Sequence, residues 1–294
     1  MQKHENGSKA NMVWKAYAKI NLGLDVLQRL ENGYHEVRMI MQTVDLYDTL
    51  TFCKQEYGIT VTTDMEELPG DENNLIYKAA KLIMDTYFIK EGVSIHLCKR
   101  IPIAAGMAGG SSDAATTFKG MNELFDLHIP MDEMMRLAVK IGADVPYCLL
   151  GGTALSEGIG ERLSPLMAPP KCYLLIAKPE IDVSTAFVYG NLNITKDTKH
   201  PNIDGMIQCI ADSDLQGMAI LMENVLELVT VKKYPIIEDI KNFMKENGAL
   251  NGIMSGSGPT VFGIFESKLK LENAYELLKK QNIIKQIYKS TFIN

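Results

Sequence analysis

At 294 residues, 46% hydrophobic and 22% charged, the chain has the composition of a folded globular protein and the length of about two domains at ~150 residues each. A formal net charge of −6 with only short basic runs excludes the electrostatic footprint of a protein that binds nucleic acid or an acidic membrane surface. The five cysteines (Cys53, Cys98, Cys148, Cys172 and Cys209) are scattered with no CxxC pair, which argues against a disulfide framework or zinc site and for a reducing, cytoplasmic setting.

No apolar run approaches the roughly 18 residues of a membrane-spanning helix, and the N-terminal MQKHENGSKANMV reads as a short polar leader without a signal-peptide core. From Met12 to Phe52 the texture is β: Ile20, Leu22, Leu24 and Val26 alternate with Asn21, Gly23, Asp25 and Leu27, and Asn32-Gly33 marks a tight turn before Val37 to Leu46. A short strand is expected over Ile59 to Thr62, then a polar loop from Asp64 to Asp71. Leu75, Ala79, Leu82 and Ile83 form a helical stripe within Asn74 to Tyr87, and Val93, Ile95 and Leu97 alternate as a strand.

That strand feeds IPIAAGMAGGSSDAATTF, Ile101 to Phe118, where three glycines (Gly106, Gly109, Gly110) and two serines lead into apolar positions Ala114, Phe118, Met121 and Phe125 at helical spacing. Glycines let a backbone approach a ligand, and the first N–H groups of a helix have no internal partners and sit at its positive end. Two readings fit: a phosphate-binding helix start, or a Gly-Ser loop with an ordinary N-cap at Ser111 or Ser112. The pattern matches neither Walker A nor GxGxxG, and the turn around Ser257 lacks the full GxSxG of a nucleophile elbow.

Further on, a helix is expected from near Pro130 to Gly142, glycine-interrupted strands over Tyr147 to Leu163, a linker at Pro165 to Pro170, and a strand over Lys171 to Lys178. A polar, mobile loop follows from Asn191 to Asp204, helices over Asp214 to Val229 and Pro235 to Asn247, a glycine turn in MSGSGPTVFGIF, a helix over Leu269 to Lys280 and a last strand over Ile283 to Phe292. Strands followed by helices, without strict alternation, predict an α+β fold in two domains, 1–163 and 164–294.

Four features admit both a structural and a functional reading. Asp144, between Gly142 and Pro146, is a turn-forming carboxylate or a fixed base. Lys19, inside the apolar AYAKINLGL, either snorkels at an edge or meets a carboxylate or anionic ligand. Tyr34 and His35 follow the Asn32-Gly33 turn and could simply cap a hairpin. His4, His96, His128 and His200 show no metal-ligand spacing, and the 17 methionines read as core filler.

PIAAGMAGGSSDAA resembles the central motif of the GHMP small-molecule kinases. The likeness extends to AKINLGLDVL, GYHEVRMIMQTVDLYD, ENNLIYKAA, GADVPYCLLGGTALSEGIGE and SGSGPTVFGIF, nearly the whole chain, and GYHEV with GADVP is similar to the branch acting on 4-diphosphocytidyl-2-C-methyl-D-erythritol in isoprenoid precursor biosynthesis. The resemblance implies a ribosomal-protein-S5-like N-terminal domain and a ferredoxin-like C-terminal one. It implies ATP on Pro102, Ile103, Ala104, Ala105, Gly106, Met107, Ala108, Gly109, Gly110, Ser111 and Ser112, with Lys99 and Asn74 near the nucleotide. Asp144 becomes the general base for the 2-hydroxyl, with Lys19 favouring negative charge on the carboxylate and on the attacking oxygen. Tyr34, His35 and Tyr189 would hold the cytosine, with Asn21 and Thr185 as further substrate contacts. Magnesium (Mg2+) would bridge ATP oxygens, with no protein ligand assigned. Met107 stands where leucine is frequent, and Thr116-Thr117 replaces a more apolar pair. The rival readings are a mevalonate or homoserine kinase of the same superfamily and a non-catalytic ligand-binding protein on the same fold.

Overall fold

The computed structural model describes residues 11–294, so His4 and most of the polar leader lie outside the described residues. In chain order the elements are β1 (Met12–Arg29), β2 (His35–Gln55), β3 (Ile59–Thr63), α1 (Leu75–Thr86), β4 (Gly92–Cys98), α2 (Gly109–Leu124), α3 (Met131–Ala138), α4 (Val145–Leu150), β5 (Thr153–Gly158), β6 (Arg162–Pro165) and β7 (Tyr173–Lys178). They continue as α5 (Thr185–Gly190), α6 (Ile203–Ala211), α7 (Leu215–Leu221), α8 (Glu227–Lys233), α9 (Ile236–Glu246), β8 (Asn251–Met254), β9 (Val261–Phe265), α10 (Lys268–Gln281) and β10 (Gln286–Ser290).

The chain divides into two bodies that alternate along the sequence. The first holds residues 11–16 with Tyr47–Arg100 and Gly110–Leu149; the second holds Tyr17–Leu46, Ile101–Gly109 and Leu150–Asn294. In the first body, the end of β2 pairs antiparallel with β4 from Thr49↔Cys98 to Gln55↔Gly92, and β3 joins β4 in parallel. α1 and α2 cover this sheet, burying Ile76, Ile83, Phe118 and Met121 with Phe52, Val93 and Ile95. Asn74 caps α1, its Oδ1 accepting from Ile76 N at 2.9 Å.

In the second body, the start of β2 pairs antiparallel with β5, and a separate four-stranded antiparallel sheet has the order β10-β7-β9-β8. Numbered within that sheet, the order is 4-1-3-2 with helices between strands 1 and 2 and between 3 and 4, the ferredoxin-like arrangement. The even residues of β1 (Ile20, Leu22) enter the apolar core with Ile176, Phe262 and Ile264. The odd residues are covered too. A Cβ at Gly23 would lie 2.9 Å from Ile203 Cδ1, and buried Asp25 faces His200 Nδ1 at 2.8 Å.

Three expectations needed correction. The strand texture read from Tyr147 onward begins instead as α4, because Pro146 sits where a helix needs no N–H donor and Cys148 N donates to Asp144 O at 3.1 Å. The polar stretch to Asp204 runs into α6, whose N-cap Asn202 accepts from Gly205 N at 2.9 Å, and His200 ties the preceding segment to β1. The single helix expected over Asp214 to Val229 is two, α7 and α8: residues 223–225 leave helical geometry to pair with Leu24, Leu24 N donating to Glu223 O at 3.0 Å and Val225 N to Leu24 O at 3.0 Å.

Gly120 on α2 faces Phe52, and a Cβ there would lie 2.5 to 2.9 Å from three ring carbons. Alanine gains about 1 kcal/mol of helix propensity, but overpacking a close core costs about 1–3 kcal/mol. Gly120→Ala is therefore expected to lower stability by roughly 1 kcal/mol, read as a lower urea midpoint with unchanged slope; a midpoint at or above the parent's would show that the ring gives way.

Candidate active site

The glycine loop enters the second body as Ile101–Gly109 and crosses to the first at Gly110. Ile101, Ala105 and Met107 are buried in the second body's core, which anchors the loop by alternate side chains. Next to them Ala104, Gly106 and Ala108 take positive φ (50°, 70° and 54°), a conformation costly for alanine. Two hydrogen bonds hold the loop in place: Lys19 N donates to Met107 O at 3.1 Å, and Ser255 Oγ donates to Gly106 O at 2.9 Å. The approach at Gly106 leaves no room for a side chain, since a Cβ would lie 2.2 Å from Ser255 O.

The turn that supplies Ser255 is itself braced. Asn224 Nδ2 donates to Met254 O and Gly256 O, both at 2.8 Å, and Glu227 Oε1 accepts from Met254 N at 2.8 Å. Ser257, also in this turn, shares a 2.8 Å hydrogen bond with Thr185 Oγ1 at the start of α5. This second glycine turn was legible only as a turn between two apolar segments; its role in fixing the first loop depends on contacts across about 150 positions of sequence.

On β1, Lys19 and Asn21 are both buried, and Lys19 Nζ donates to Asn21 Oδ1 at 2.8 Å, so Lys19 does not snorkel to an edge. Asn21 Nδ2 reaches Met39 Sδ at 3.2 Å. At the β1–β2 hairpin, Asn32 Oδ1 accepts from Tyr34 N at 3.0 Å, leaving the Tyr34 ring 60% exposed. His35 and Tyr189, far apart in sequence, meet with ring centroids 5.2 Å apart and planes tilted by 42°. Burial, and then the positive charge of Arg29, lowers the His35 pKa below its ordinary value and so favours the neutral imidazole. An exposed tyrosine and a neutral imidazole against a second aromatic ring can stack on and hydrogen-bond a planar heterocycle.

α2 begins at Gly109, the last residue of the second body's loop, and continues in the first body, so Ser111 and Ser112 lie in its first turn and neither is its N-cap. Asp144 stands half-buried at the start of α4. Lys99 lies within the interior: its Nζ donates to Asp48 Oδ2 at 2.5 Å and Asp113 Oδ2 at 2.7 Å, with side-chain exposures of 4%, 0% and 5%. Burial lowers the Lys99 pKa, but Asp113 and Asp48 outweigh it and raise it overall. Asn74 is engaged at both side-chain ends, since its Nδ2 donates to Pro69 O at 2.7 Å. Sequence reasoning missed Asp48 and Asp113. A lysine ending an apolar strand was the signal, because a buried cation requires carboxylates. Among the described residues no three His, Cys, Asp or Glu side chains gather to hold a metal ion.

Residues 74–152 match the GHMP kinases N terminal domain and residues 206–284 the GHMP kinases C terminal. A protein of Lachnoclostridium phytofermentans named 4-diphosphocytidyl-2-C-methyl-D-erythritol kinase is 55% identical over 279 residues, 95% of this chain and 96% of its own. The crystal structure of a 4-(cytidine 5'-diphospho)-2C-methyl-D-erythritol kinase superposes with a TM-score of 0.83 at 31% identity, over 96% of this chain and 100% of that one. The homoserine kinase of Cytophaga hutchinsonii reaches a TM-score of 0.80 at 21% identity, over 99% of this chain and 98% of its own, and so shares the fold alone. With identity above one half along almost its whole length, the chain belongs to the 4-diphosphocytidyl-2-C-methyl-D-erythritol kinase family of GHMP kinases.

Proposed function

We propose that the protein transfers the γ-phosphoryl group of ATP to the 2-hydroxyl of 4-diphosphocytidyl-2-C-methyl-D-erythritol, in the methylerythritol phosphate route to isoprenoid precursors. The near-full-length likeness to a kinase of that name carries the reading. The His35–Tyr189 pair supports the acceptor, because a neutral imidazole beside an aromatic ring suits cytosine, with Tyr34 as the other stacking surface and Asn21 and Thr185 as secondary contacts. A cytoplasmic location goes with it: all five cysteines are free, and among the described residues no helix is long and apolar enough to cross a membrane. The family domains are taken as 1–163 and 164–294.

Phosphoryl transfer asks for positioning and charge neutralisation. The backbone of Pro102 to Ser112 and the first N–H groups of α2 would hold the ATP phosphates, Ala105 and Met107 through main chain only because their side chains are in the core. Asn74 and Lys99, committed to internal partners, would serve by building the wall of that site. Magnesium would arrive with ATP as part of the nucleotide substrate, neutralising phosphate charge, and no side chain of the protein is assigned to it. Asp144 takes the proton of the 2-hydroxyl as that oxygen bonds to the γ-phosphorus and the bond to the bridging oxygen of ADP breaks; Lys19 supplies positive charge for the attacking oxygen.

General-base help is worth ~10²- to 10⁴-fold. Asp144→Asn is expected to cut turnover at least ~10²-fold while ATP affinity by calorimetry stays close to the parent's; near-normal turnover would remove Asp144 from the role. In a coupled ADP-release assay the cytidyl alcohol should be turned over and mevalonate and homoserine should not, and equal activity on mevalonate would sink the acceptor assignment. Gly106→Ala would both strain a positive φ and push against Ser255 O; a displacement of about 1 Å at a catalytic loop costs on the order of 10²-fold, expected here in kcat/KM for ATP. An unchanged kcat/KM would show the loop indifferent to that contact.

A further inference from the structure

The buried cluster around Lys99 holds one ammonium and two carboxyl groups. Were all three ionised, the interior would carry one uncompensated negative charge, which burial makes costly. The two acids are unequally served. Asp48 accepts from Lys99 Nζ at Oδ2 and from Arg100 N at Oδ1, both at 2.5 Å. Asp113 accepts from Lys99 at Oδ2 alone, and its buried Oδ1 has no hydrogen-bond partner. Beside Asp48, Arg100 pairs with Asp64 at 2.7 Å. Burial first, and then the charge of Asp48, raises the Asp113 carboxyl to about 8 against the lowering pull of Lys99.

We propose that Asp113 carries a proton at neutral pH and so keeps the start of α2 free of a fixed negative charge, acting as a positioning residue for the phosphates bound there. Asp113 is the fifth residue of α2, about 6 Å along the axis from its first. A carboxylate at that place would compete with phosphate for the positive end of the helix; a neutral carboxyl leaves that end to the ligand. As pH rises, the proton leaves to solvent and the competition begins. The proposal rests on the reading of this helix start as the phosphate site.

The experiment has two readouts on the full chain. The first is carbon NMR of protein labelled at aspartate Cγ, titrated from about pH 5 to about pH 10, with Asp113→Asn identifying the resonance. The second is calorimetric binding of ADP above about pH 7.5, where its phosphates no longer titrate, to the parent and to Asp113→Asn. The expected results are an Asp113 resonance titrating near 8, and an ADP affinity that falls about three- to tenfold through that range in the parent while remaining flat in Asp113→Asn. A resonance already ionised at neutral pH overturns the proposal, as does an equal alkaline decline in both proteins. Should Asp113→Asn fail to fold, the parent still decides, since no aspartate titrating above about pH 7 would refute it. If ADP binds neither protein at any pH, the phosphate-site reading fails, while the titration still judges the proton.

Discussion

The close approach of the Gly106 backbone to Ser255 is the constraint on which the second body's functional geometry depends. With a Cβ there placed 2.2 Å from a carbonyl oxygen, two glycine-rich turns about 150 residues apart are locked to one mutual distance. Ser255 Oγ donates to the Gly106 carbonyl, so contact and hydrogen bond enforce the same geometry. Behind Ser255 stand Asn224, which takes two carbonyls of the turn, and Glu227, which takes a backbone N–H. Burial raises the Glu227 carboxyl, while Lys241, at 2.6 Å, works against that rise. The break between α7 and α8 places Asn224 and Glu227 for this task, so an irregularity in the helices is used to hold a loop.

Charge is arranged differently inside and outside. Exposed pairs such as Lys285–Glu180 contribute little to stability, on the order of 0–1 kcal/mol. The buried groups Lys99 with Asp48 and Asp113, and Lys241 with Glu227, are tied to backbone as well as to one another: Asp48 accepts from Arg100 N and Glu227 from Met254 N. Their value is specificity of position more than net stability, since a hydrophobic replacement of such a cluster would cost little or nothing in energy.

Much was legible in the residues. The period-2 and period-3.6 patterns located α1, β4, α9 and α10 to within a few residues, because each buries one regular face, and the apolar alternation Ile20, Leu22, Leu24 and Val26 marked β1 although both of its faces are covered. The helix beyond the glycines was visible for the same reason, but it starts earlier than expected, at Gly109, so the last two glycines and both serines belong to it. What stayed hidden was non-local. Lys99 was read only as a residue near the nucleotide, with nothing to show that Asp48 and Asp113 meet it, His35 and Tyr189 came together only through the family resemblance, and the Asp214 to Val229 stretch kept a helical pattern that pairing with Leu24 overrides. Local propensity is a weak prior wherever a distant strand or side chain competes for the same backbone groups.

The alternation of the two bodies along the chain has a consequence for how the molecule can be made or divided. The second body takes Tyr17–Leu46 and Ile101–Gly109 from the first half of the chain and everything from Leu150 onward from the rest. No single cut separates them: a break after residue 163 strands β1 and the glycine loop away from the sheet that buries them. During synthesis Ile20, Leu22 and Met107 emerge before β7 and β9, the strands that cover them, so completing this core depends on late sequence. The glycine loop is therefore translated well before the strands that its buried side chains pack against.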